Sequence, residues 1–275
     1  MRTIDAHEVQ QHLRALRVNG YTIVEAFMDQ PTIERLLTLV NKHHDIQKCL
    51  SLPGRPDPEL GEQVHNIQNK DKYFIDTLDD PFLIKVLMEN LQDPFYKSLP
   101  PDIPNYILNF YNARSSGKKE LKLHMDTFLP SPGEKTWTMQ AAFILEDCTF
   151  ESGCTVVVPK SHRSGTFIDF SNAKAEPLIA KSGDLVLWDS RLWHGTSANV
   201  TGRSRWIIIA TFTTWWVKQR TDVPRSLPDE IYQELSDRQK ILLGFCSIPP
   251  KDEHERINFK GGYEALRPSV KDYFL

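Results

Sequence analysis

Two short stretches of the sequence contain residues that can bind a metal ion. His124 and Asp126 stand two positions apart, and His194 follows much later in the chain. In an extended strand, residues i and i+2 face the same side, so the side chains of His124 and Asp126 can enter one space. Two imidazoles and one carboxylate on one side of a metal form a facial triad, which leaves coordination positions open and suits non-haem Fe(II) oxygenases. Taken alone, a His-x-Asp pair is also common by chance in structural roles.

A candidate anion-binding residue follows the second histidine. Arg205 begins an apolar stretch, and the alternation of a strand puts its side chain on the face of Ile207 and Ile209. A buried arginine needs an anionic partner. That partner is either an internal carboxylate or the distal carboxylate of a bound diacid, which a guanidinium holds with two parallel hydrogen bonds. Arg203 would share this face but at the strand edge, so Arg205 is the stronger candidate.

The composition indicates an ordinary globular protein. The 275 residues are 40% hydrophobic and 25% charged with a formal net charge of -3, so nothing favours nucleic acid or an anionic membrane as a partner. The four cysteines have no C-x-x-C spacing, which favours free thiols in a reducing compartment. The first residues lack the apolar segment of a signal peptide, and no apolar run reaches the roughly 18 residues of a membrane span. We therefore expect a cytoplasmic protein with no membrane partner.

The period of the apolar residues predicts helices at both ends of the chain and strands between them. Helical spacing occurs over 5–18 and 79–99 and returns after Gln219. The predicted strands are short, β-branched and separated by Gly, Pro and Ser turns, as in an antiparallel sandwich or barrel. They cover residues 21–24, 106–111, 136–145, 154–158, 178–179, 184–188 and 205–215, with a polar turn at 114–119. One domain is the simplest organisation of such a chain.

Several pieces of sequence occur in a fixed order along nearly the whole chain. They are Gly20-Tyr21-Thr22-Ile23-Val24-Glu25-Ala26-Phe27, His124-Met125-Asp126, Glu151-Ser152-Gly153-Cys154-Thr155-Val156-Val157-Val158-Pro159-Lys160-Ser161-His162-Arg163, Gly183-Asp184-Leu185-Val186-Leu187-Trp188 with His194-Gly195-Thr196, and Arg205. This ordered set resembles the phytanoyl-CoA dioxygenase family of Fe(II)/2-oxoglutarate-dependent oxygenases. The resemblance implies a mainly β fold with flanking helices, namely a double-stranded β-helix, which is a cupin-like jelly roll. A single dioxygenase domain over 1–275 would then have a helical segment at 1–100, a jelly-roll core at 104–218 and a helical segment at 219–275.

The same resemblance implies roles for particular residues. His124, Asp126 and His194 match the Fe(II) ligands of the family's catalytic centre. Arg205 stands eleven residues after His194, where the family has the residue that binds the C5 carboxylate of the cosubstrate 2-oxoglutarate. Thr196 matches a hydroxyl that assists this arginine.

Two neighbouring positions belong to the resemblance without a predicted role in chemistry. His162 lies in a family signature and is expected to close a loop near the barrel, not to bind iron. Lys160 stands where many relatives carry glycine, which is a change in a loop and leaves the predicted site intact.

Strand faces and nearby aromatic residues predict the pocket walls. Gln140 shares a strand face with Ala142 and can hydrogen-bond the cosubstrate or the substrate. Core packing explains each candidate aromatic residue equally well. The candidates for apolar, substrate-binding walls are Phe128, Trp137 and Trp193, together with Trp215.

The resemblance implies an enzyme that uses Fe(II), 2-oxoglutarate and O2 to oxidise an aliphatic C–H bond of a small-molecule metabolite, releasing succinate and CO2. Related halogenases replace the carboxylate ligand with a small residue, so the presence of Asp126 favours hydroxylation or a related oxidation. The substrate is expected to be a small molecule such as a secondary metabolite. Two other classes stay open: a Zn(II)-dependent isomerase or hydrolase with the same three ligands, and a ligand sensor without turnover. Arg205 and Thr196 argue against the sensor, since such a barrel need not keep a diacid clamp.

Overall fold

The computed structural model describes residues 5–49, 58–96, 99–127, 135–163 and 167–249. The α-helices in these ranges are α1 (Ala6–Asn19), α2 (Gln30–Cys49), α3 (Lys72–Asp76), α4 (Pro81–Leu91), α5 (Val223–Ser226), α6 (Asp229–Gln233) and α7 (Asp237–Leu242). The strands are β1 (Tyr21–Val24), β2 (Gly61–Val64), β3 (Ile107–Ser116), β4 (Leu121–His124), β5 (Thr138–Ile144), β6 (Thr155–Val157), β7 (Glu176–Pro177), β8 (Leu185–Asp189), β9 (His194–Thr196) and β10 (Trp206–Thr213). None of the helices in the described ranges has the length and apolar character that crossing a bilayer requires.

Local capping sets the ends of the first helices. The Asp5 side chain accepts a hydrogen bond from the first turn of α1, and Gly20 ends this helix with a φ of 89°. The prediction of a helix over 5–18 is therefore confirmed. The prediction of one helix over 79–99 is too long, because Asp80 caps α4 only one residue before it begins and the helix ends at Leu91.

The strands form two antiparallel sheets that face each other. The six-stranded sheet has the order β1-β8-β5-β10-β3-β2, and the four-stranded sheet has the order β4-β9-β6-β7. The two sheets are not joined into one closed barrel by hydrogen bonds. This arrangement confirms the predicted mainly β jelly roll with flanking helices, whereas the single-domain boundaries stay a prediction.

The alternation of β10 divides the core into two layers. Ile208 and Ala210 belong to an apolar core shared with the helices α1, α2 and α4, on the outer face of the six-stranded sheet. Ile207 and Ile209 contact the second core, between the two sheets, which includes Val157 from the smaller sheet. Because the two cores cover its two faces, β10 is buried on both sides, and its pairing with β3 and β5 makes it a central strand of the sheet. The space between the sheets is where the candidate site lies.

Two sequence-based assignments differ from the structure. The predicted polar turn at 114–119 is wrong at its start, since β3 continues through Ser116 and Arg114 pairs with Ile207. Pairing with the buried strand β10 thus overrides the turn-like composition. The strand predicted at 178–179 lies two residues earlier, at Glu176–Pro177, where it pairs with β6.

The end of α1 is tied to the loops that lead into the smaller sheet. The Gly20 carbonyl accepts a hydrogen bond from the Asp189 backbone (2.9 Å), and the Asn19 carbonyl accepts one from the Lys160 backbone (2.9 Å). The His162 ring contacts the Arg17 carbonyl (3.3 Å), so this histidine closes a loop as expected. Lys160 has a φ of 68°, a left-handed conformation that glycine adopts at lower cost.

A buried ion pair fixes the turn between β8 and β9. The Asp189 carboxylate accepts a hydrogen bond from Nε of Arg191 (2.9 Å) and another from its Nη2 (2.6 Å). The side chains are only 9% and 5% exposed, respectively. Because His194 begins β9 directly after this turn, the pair helps to set where its imidazole lies.

We predict that Arg191→Ala lowers the free energy of unfolding by about 3–5 kcal/mol, because it leaves the Asp189 carboxylate buried without its partner. Chemical denaturation followed by circular dichroism measures this value. The exposed pair Lys85–Glu89, with 2.7 Å between its charged atoms, provides the control: Lys85→Ala should change the free energy of unfolding by less than about 1 kcal/mol. Similar small effects of both substitutions would contradict a structural role of the buried pair.

Candidate metal centre

Three side chains converge at one end of the space between the sheets. His124 ends β4 and pairs with His194, the first residue of β9. Asp126 follows two residues after the end of β4, so it lies in a loop and not on the strand that its spacing suggested. One ligand atom from each of the three residues lies within 4.8 Å of the others. The Asp126 carboxylate is 3.8 Å from Nε2 of His124 and 3.4 Å from Nε2 of His194.

Hydrogen bonds orient both imidazoles toward the centre. Nδ1 of His124 donates to the Lys122 carbonyl, and Nδ1 of His194 donates to the Leu192 carbonyl, each over 2.9 Å. These bonds leave each Nε2 as the free donor atom for a metal. Burial of the ring and the neighbouring His194 lower the pKa of His124, which favours the neutral form that metal binding needs. Two neutral imidazoles and a carboxylate fit a divalent first-row metal such as Fe(II).

The loop that carries Asp126 is held by the turn after β8. The backbone N–H groups of Asp126 and Thr127 both donate to the Ser190 carbonyl, over 3.1 and 3.3 Å. Nε2 of Gln140 donates to Ser190 Oγ (3.2 Å), and the Thr211 hydroxyl donates to the side-chain oxygen Oε1 of Gln140 (2.6 Å). The metal ligands are therefore connected to strands of both sheets by buried polar contacts.

A pocket of about 260 Å³ is lined by two of the three candidate ligands, Asp126 and His194. This volume is close to the lower end of small-molecule sites, which measure about 300–1,000 Å³. The pocket has polar residues on most sides and aromatic rings from β3 and β8. Its lining residues are Asn109, Phe110, Arg114, Asp126, Thr127, Thr138, Gln140, Trp188, His194, Ile209, Thr211, Val217 and Arg220.

The predicted wall residues are placed differently from one another. Gln140 lines the pocket. Trp193 packs in an apolar cluster with Met125 and Val158, and Trp137 contacts Trp216 edge-to-face with 5.2 Å between ring centroids. Neither tryptophan is among the residues that line this pocket. The structure shows a packing role for both, and their part in a substrate-binding wall stays a prediction.

Two further aromatic residues complete the comparison with the sequence. Trp215 stacks on Tyr96, and its indole donates to Asp93 (2.9 Å), so it also has a packing role. Phe128 lies outside the described residues. The aromatic residues that do line the pocket are Phe110 and Trp188, and the alternation of their strands is the signal that could have identified them.

Arg205 is buried but forms no ion pair with the described residues. It is 2% exposed, and its Nη2 donates to Ser116 Oγ and to the Gly153 carbonyl. Its Nε is buried without a hydrogen-bond partner. The internal carboxylate partner considered from the sequence is therefore absent from the described part of the chain, although Arg205 lies beyond the residues that line the pocket. Arg203 is exposed, and Thr196 Oγ1 accepts a hydrogen bond from the Leu121 backbone (3.2 Å).

Arg114 is a pocket residue that the sequence reading missed. Its side chain lines the same pocket as Asp126 and His194. Burial lowers the pKa of Arg114, Asp126 raises it, and Arg205 lowers it again. The inner face of the sheet thus carries two guanidinium groups, of which Arg205 is close enough to disfavour the charge of Arg114. The register of Arg114 opposite Ile207, an inward-facing residue, is the signal that a correct boundary for β3 would have given.

Comparison with known proteins links this site to a family. The family model described as phytanoyl-CoA dioxygenase matches residues 16–207. Dioxygenase af480 of Aspergillus fumigatus is 25% identical over 257 residues, which cover 90% of this chain and 79% of the relative. The uncharacterised protein Rv1501 of Mycobacterium tuberculosis is 27% identical over 256 residues, which cover 85% of each chain.

Solved structures share the jelly-roll fold. HygX from Streptomyces hygroscopicus, with nickel and 2-oxoglutarate bound, has a TM-score of 0.60 and 14% identity, covering 79% of this chain and 90% of HygX. The epimerase SnoN, in complex with Fe3+, alpha ketoglutarate and nogalamycin RO, has a TM-score of 0.60 and 16% identity, covering 76% of this chain and 85% of SnoN. At these identities the likeness concerns the fold.

We predict that His124→Ala, Asp126→Ala and His194→Ala each weaken Mn(II) binding by at least about tenfold, because loss of even an outer-shell partner costs that much at metal sites. Isothermal titration calorimetry measures the affinity, and circular dichroism checks the fold. The exposed His7 supplies the control, since His7→Ala should bind Mn(II) like the wild type. A ligand variant with unchanged affinity would remove that residue from the metal centre.

We predict that Gly195→Ala separates β4 from β9 and weakens Mn(II) binding. A Cβ at Gly195 would lie 2.3 Å from the Leu121 carbonyl oxygen, whereas a Cβ at Gly202 would meet no atom within 4 Å. Gly202→Ala is therefore the matched control, with only a modest loss of stability from its positive φ. Melting temperature and Mn(II) affinity are measured for both variants. Normal metal binding by Gly195→Ala would show that the pairing of the strands does not set the ligand geometry.

Proposed function

Because the chain belongs to the phytanoyl-CoA dioxygenase family of Fe(II)- and 2-oxoglutarate-dependent oxygenases, we propose that it oxidises an aliphatic C–H bond of a small-molecule metabolite and releases succinate and CO2. The observation that carries this proposal is the convergence of His124, Asp126 and His194 beside a pocket on the inner face of the jelly roll. Hydroxylation is the favoured outcome, since the carboxylate ligand is retained.

In this proposal the chain holds and orients the reactants. His124, Asp126 and His194 would bind Fe(II), with each imidazole fixed through its Nδ1 by a backbone carbonyl. Iron, 2-oxoglutarate and O2 supply the oxidising chemistry when bound. The buried contacts of Ser190 with the Asp126 loop and with Gln140 would keep the carboxylate and the pocket wall in a constant relation.

Arg205 is our candidate for binding the C5 carboxylate of 2-oxoglutarate. A guanidinium that is 2% exposed with an unpaired Nε gains from an anionic partner, because an uncompensated buried charge is costly. Arg205 precedes β10 on the same inner face as Ile209, which lines the pocket. Thr196 and Gln140 are the proposed polar neighbours of the cosubstrate.

The substrate class follows from relatives and pocket composition. HygX has been solved with hygromycin B bound, and SnoN belongs to nogalamycin biosynthesis, so a natural product is the substrate class that we propose. Phe110 and Trp188 would supply the apolar contacts to the substrate, with Thr211 as a hydrogen-bonding group. A carbocyclase and an epimerase occur among the structural neighbours, so ring closure and epimerisation are the alternative outcomes at the same centre.

We predict that N-oxalylglycine, an unreactive analogue of 2-oxoglutarate, raises the melting temperature in the presence of Mn(II). A ligand at 100 times its Kd stabilises the native state by about 2.7 kcal/mol. With Fe(II), the wild type should form succinate only when 2-oxoglutarate is present. Melting temperatures that are equal with and without the analogue would favour the isomerase, hydrolase or sensor.

Variants of Arg205 test the cosubstrate site within the same experiment. Arg205→Ala should weaken N-oxalylglycine by roughly ten- to several-hundred-fold, because a charge-assisted hydrogen bond contributes about 1.5–3 kcal/mol. Arg205→Lys keeps the positive charge but lacks the planar guanidinium group, so its loss of affinity for N-oxalylglycine should be smaller. Arg203→Ala is the matched control, since Arg203 is exposed. If Arg205→Ala binds N-oxalylglycine normally and Arg203→Ala does not, the binding residue is Arg203 and our assignment of Arg205 is wrong.

A further inference from the structure

The wall of the pocket formed by β3 is rich in positive charge. Arg114 and Arg220 both line the pocket. Arg220 lies on the segment after β10, with its guanidinium 4.9 Å from the ring centroid of Phe110. Its backbone N–H donates to Asn109 (3.2 Å), which attaches this segment to β3. The two arginines are thus positioned by neighbouring elements on one side of the pocket.

One histidine lies next to this wall, outside the residues that line the pocket. His65 follows β2 and lies 3.0 Å from the Asn112 amide through its Nδ1. Burial lowers the pKa of His65, and Arg114, Lys70 and Arg220 lower it further, with no carboxylate acting in the opposite direction. The positive charges of the neighbouring arginines therefore favour the neutral form of His65.

Carboxylates of the described residues do not balance this charge. Among the residues that line the pocket, the acidic side chain is Asp126, which the metal requires as a ligand. Neither Arg114 nor Arg220 forms an ion pair or a side-chain hydrogen bond within the described ranges. For Arg114, which is partly buried, the lack of a partner is costly because water compensates its charge only in part.

The sum of the charges at the site, with metal and cosubstrate bound, indicates which charge a partner of Arg114 and Arg220 would carry. A divalent metal, the Asp126 carboxylate, a dianionic cosubstrate and Arg205 together carry no net charge. Arg114 and Arg220 remain, and they face the volume in which the primary substrate would lie. A neutral substrate would leave the partly buried Arg114 without an anion beside the metal, while Arg220, which is exposed at the pocket mouth, would keep its charge in water.

We propose that Arg114 and Arg220 bind an oxyanion of the primary substrate, a carboxylate or a phosphate, so that the substrate of this enzyme is an acid. This inference rests on the function proposed above, because it assigns the remaining charge after metal and cosubstrate are bound. The guanidinium groups hold the acidic group with paired hydrogen bonds, and Phe110 and Trp188 contact the carbon skeleton. The acid thereby fixes which carbon of the substrate lies nearest the metal centre.

The test uses inorganic phosphate and acetate as probes on the full-length protein loaded with Mn(II) and N-oxalylglycine. Each anion replaces chloride at constant ionic strength, and the melting temperature is recorded as a function of its concentration. We expect a saturable increase in the wild type and at least an approximately tenfold weaker apparent affinity in Arg220→Gln and in Arg114→Gln. A larger response to phosphate identifies a phosphate ester as the substrate class, and a larger response to acetate identifies a carboxylic acid.

Lys218→Gln is the matched control, because Lys218 is exposed two residues before Arg220 and lies outside the pocket lining. It should respond to the anions like the wild type. The inference is overturned if neither anion raises the melting temperature of the loaded wild type, or if Arg220→Gln and Arg114→Gln respond fully, as for an anion bound at the metal alone. A wild type that N-oxalylglycine itself does not stabilise would instead refute the proposed function before any anion is added.

Discussion

The pairing of β4 with β9 is the contact on which the candidate site depends. It places His124 opposite His194, and it requires Gly195, since the backbone of Leu121 occupies the space that a side chain would need. The six-stranded sheet supports this pairing, because its strand β8 leads through the Asp189–Arg191 turn directly into β9 and so fixes where β9 begins. The strand order of the jelly roll thus places β9, which carries His194, next to β4, which carries His124.

Electrostatics impose the second constraint on the molecule. The inner face of the six-stranded sheet buries guanidinium groups, Arg114 and Arg205, without pairing them with internal carboxylates in the described ranges. Such an arrangement lowers the stability of the unliganded protein, because buried charges without partners are unfavourable. An anionic ligand that entered this space would relieve the repulsion, which is why we propose anionic ligands for it.

The sequence predicts the fold class correctly, and it predicts three candidate metal ligands that the structure brings together. It does not identify most of the residues that line the pocket. His124, Asp126 and His194 can be recognised because metal binding restricts both residue type and spacing. Arg114 cannot, because its neighbours Ser115 and Ser116 have the composition of a turn, and only pairing with β10 and β2 makes them a strand. Trp137 and Trp193 are aromatic residues close to the ligands in sequence, yet neighbouring strand positions face opposite sides. Which side is the pocket depends on long-range register, which local patterns do not contain.

The hydrogen bonds at the end of α1 have a consequence for how the protein can be divided. Gly20 and Asn19 accept hydrogen bonds from Asp189 and Lys160, which belong to the two loops that flank the start of β9. The end of the first helix therefore helps to hold the segments around the candidate metal site in place. A minimal fragment that begins at β3 would keep every ligand and most of the pocket, but it would lose β1, the neighbour of β8 in the sheet. The smallest unit able to hold the metal geometry thus includes the helical segment that precedes the strands.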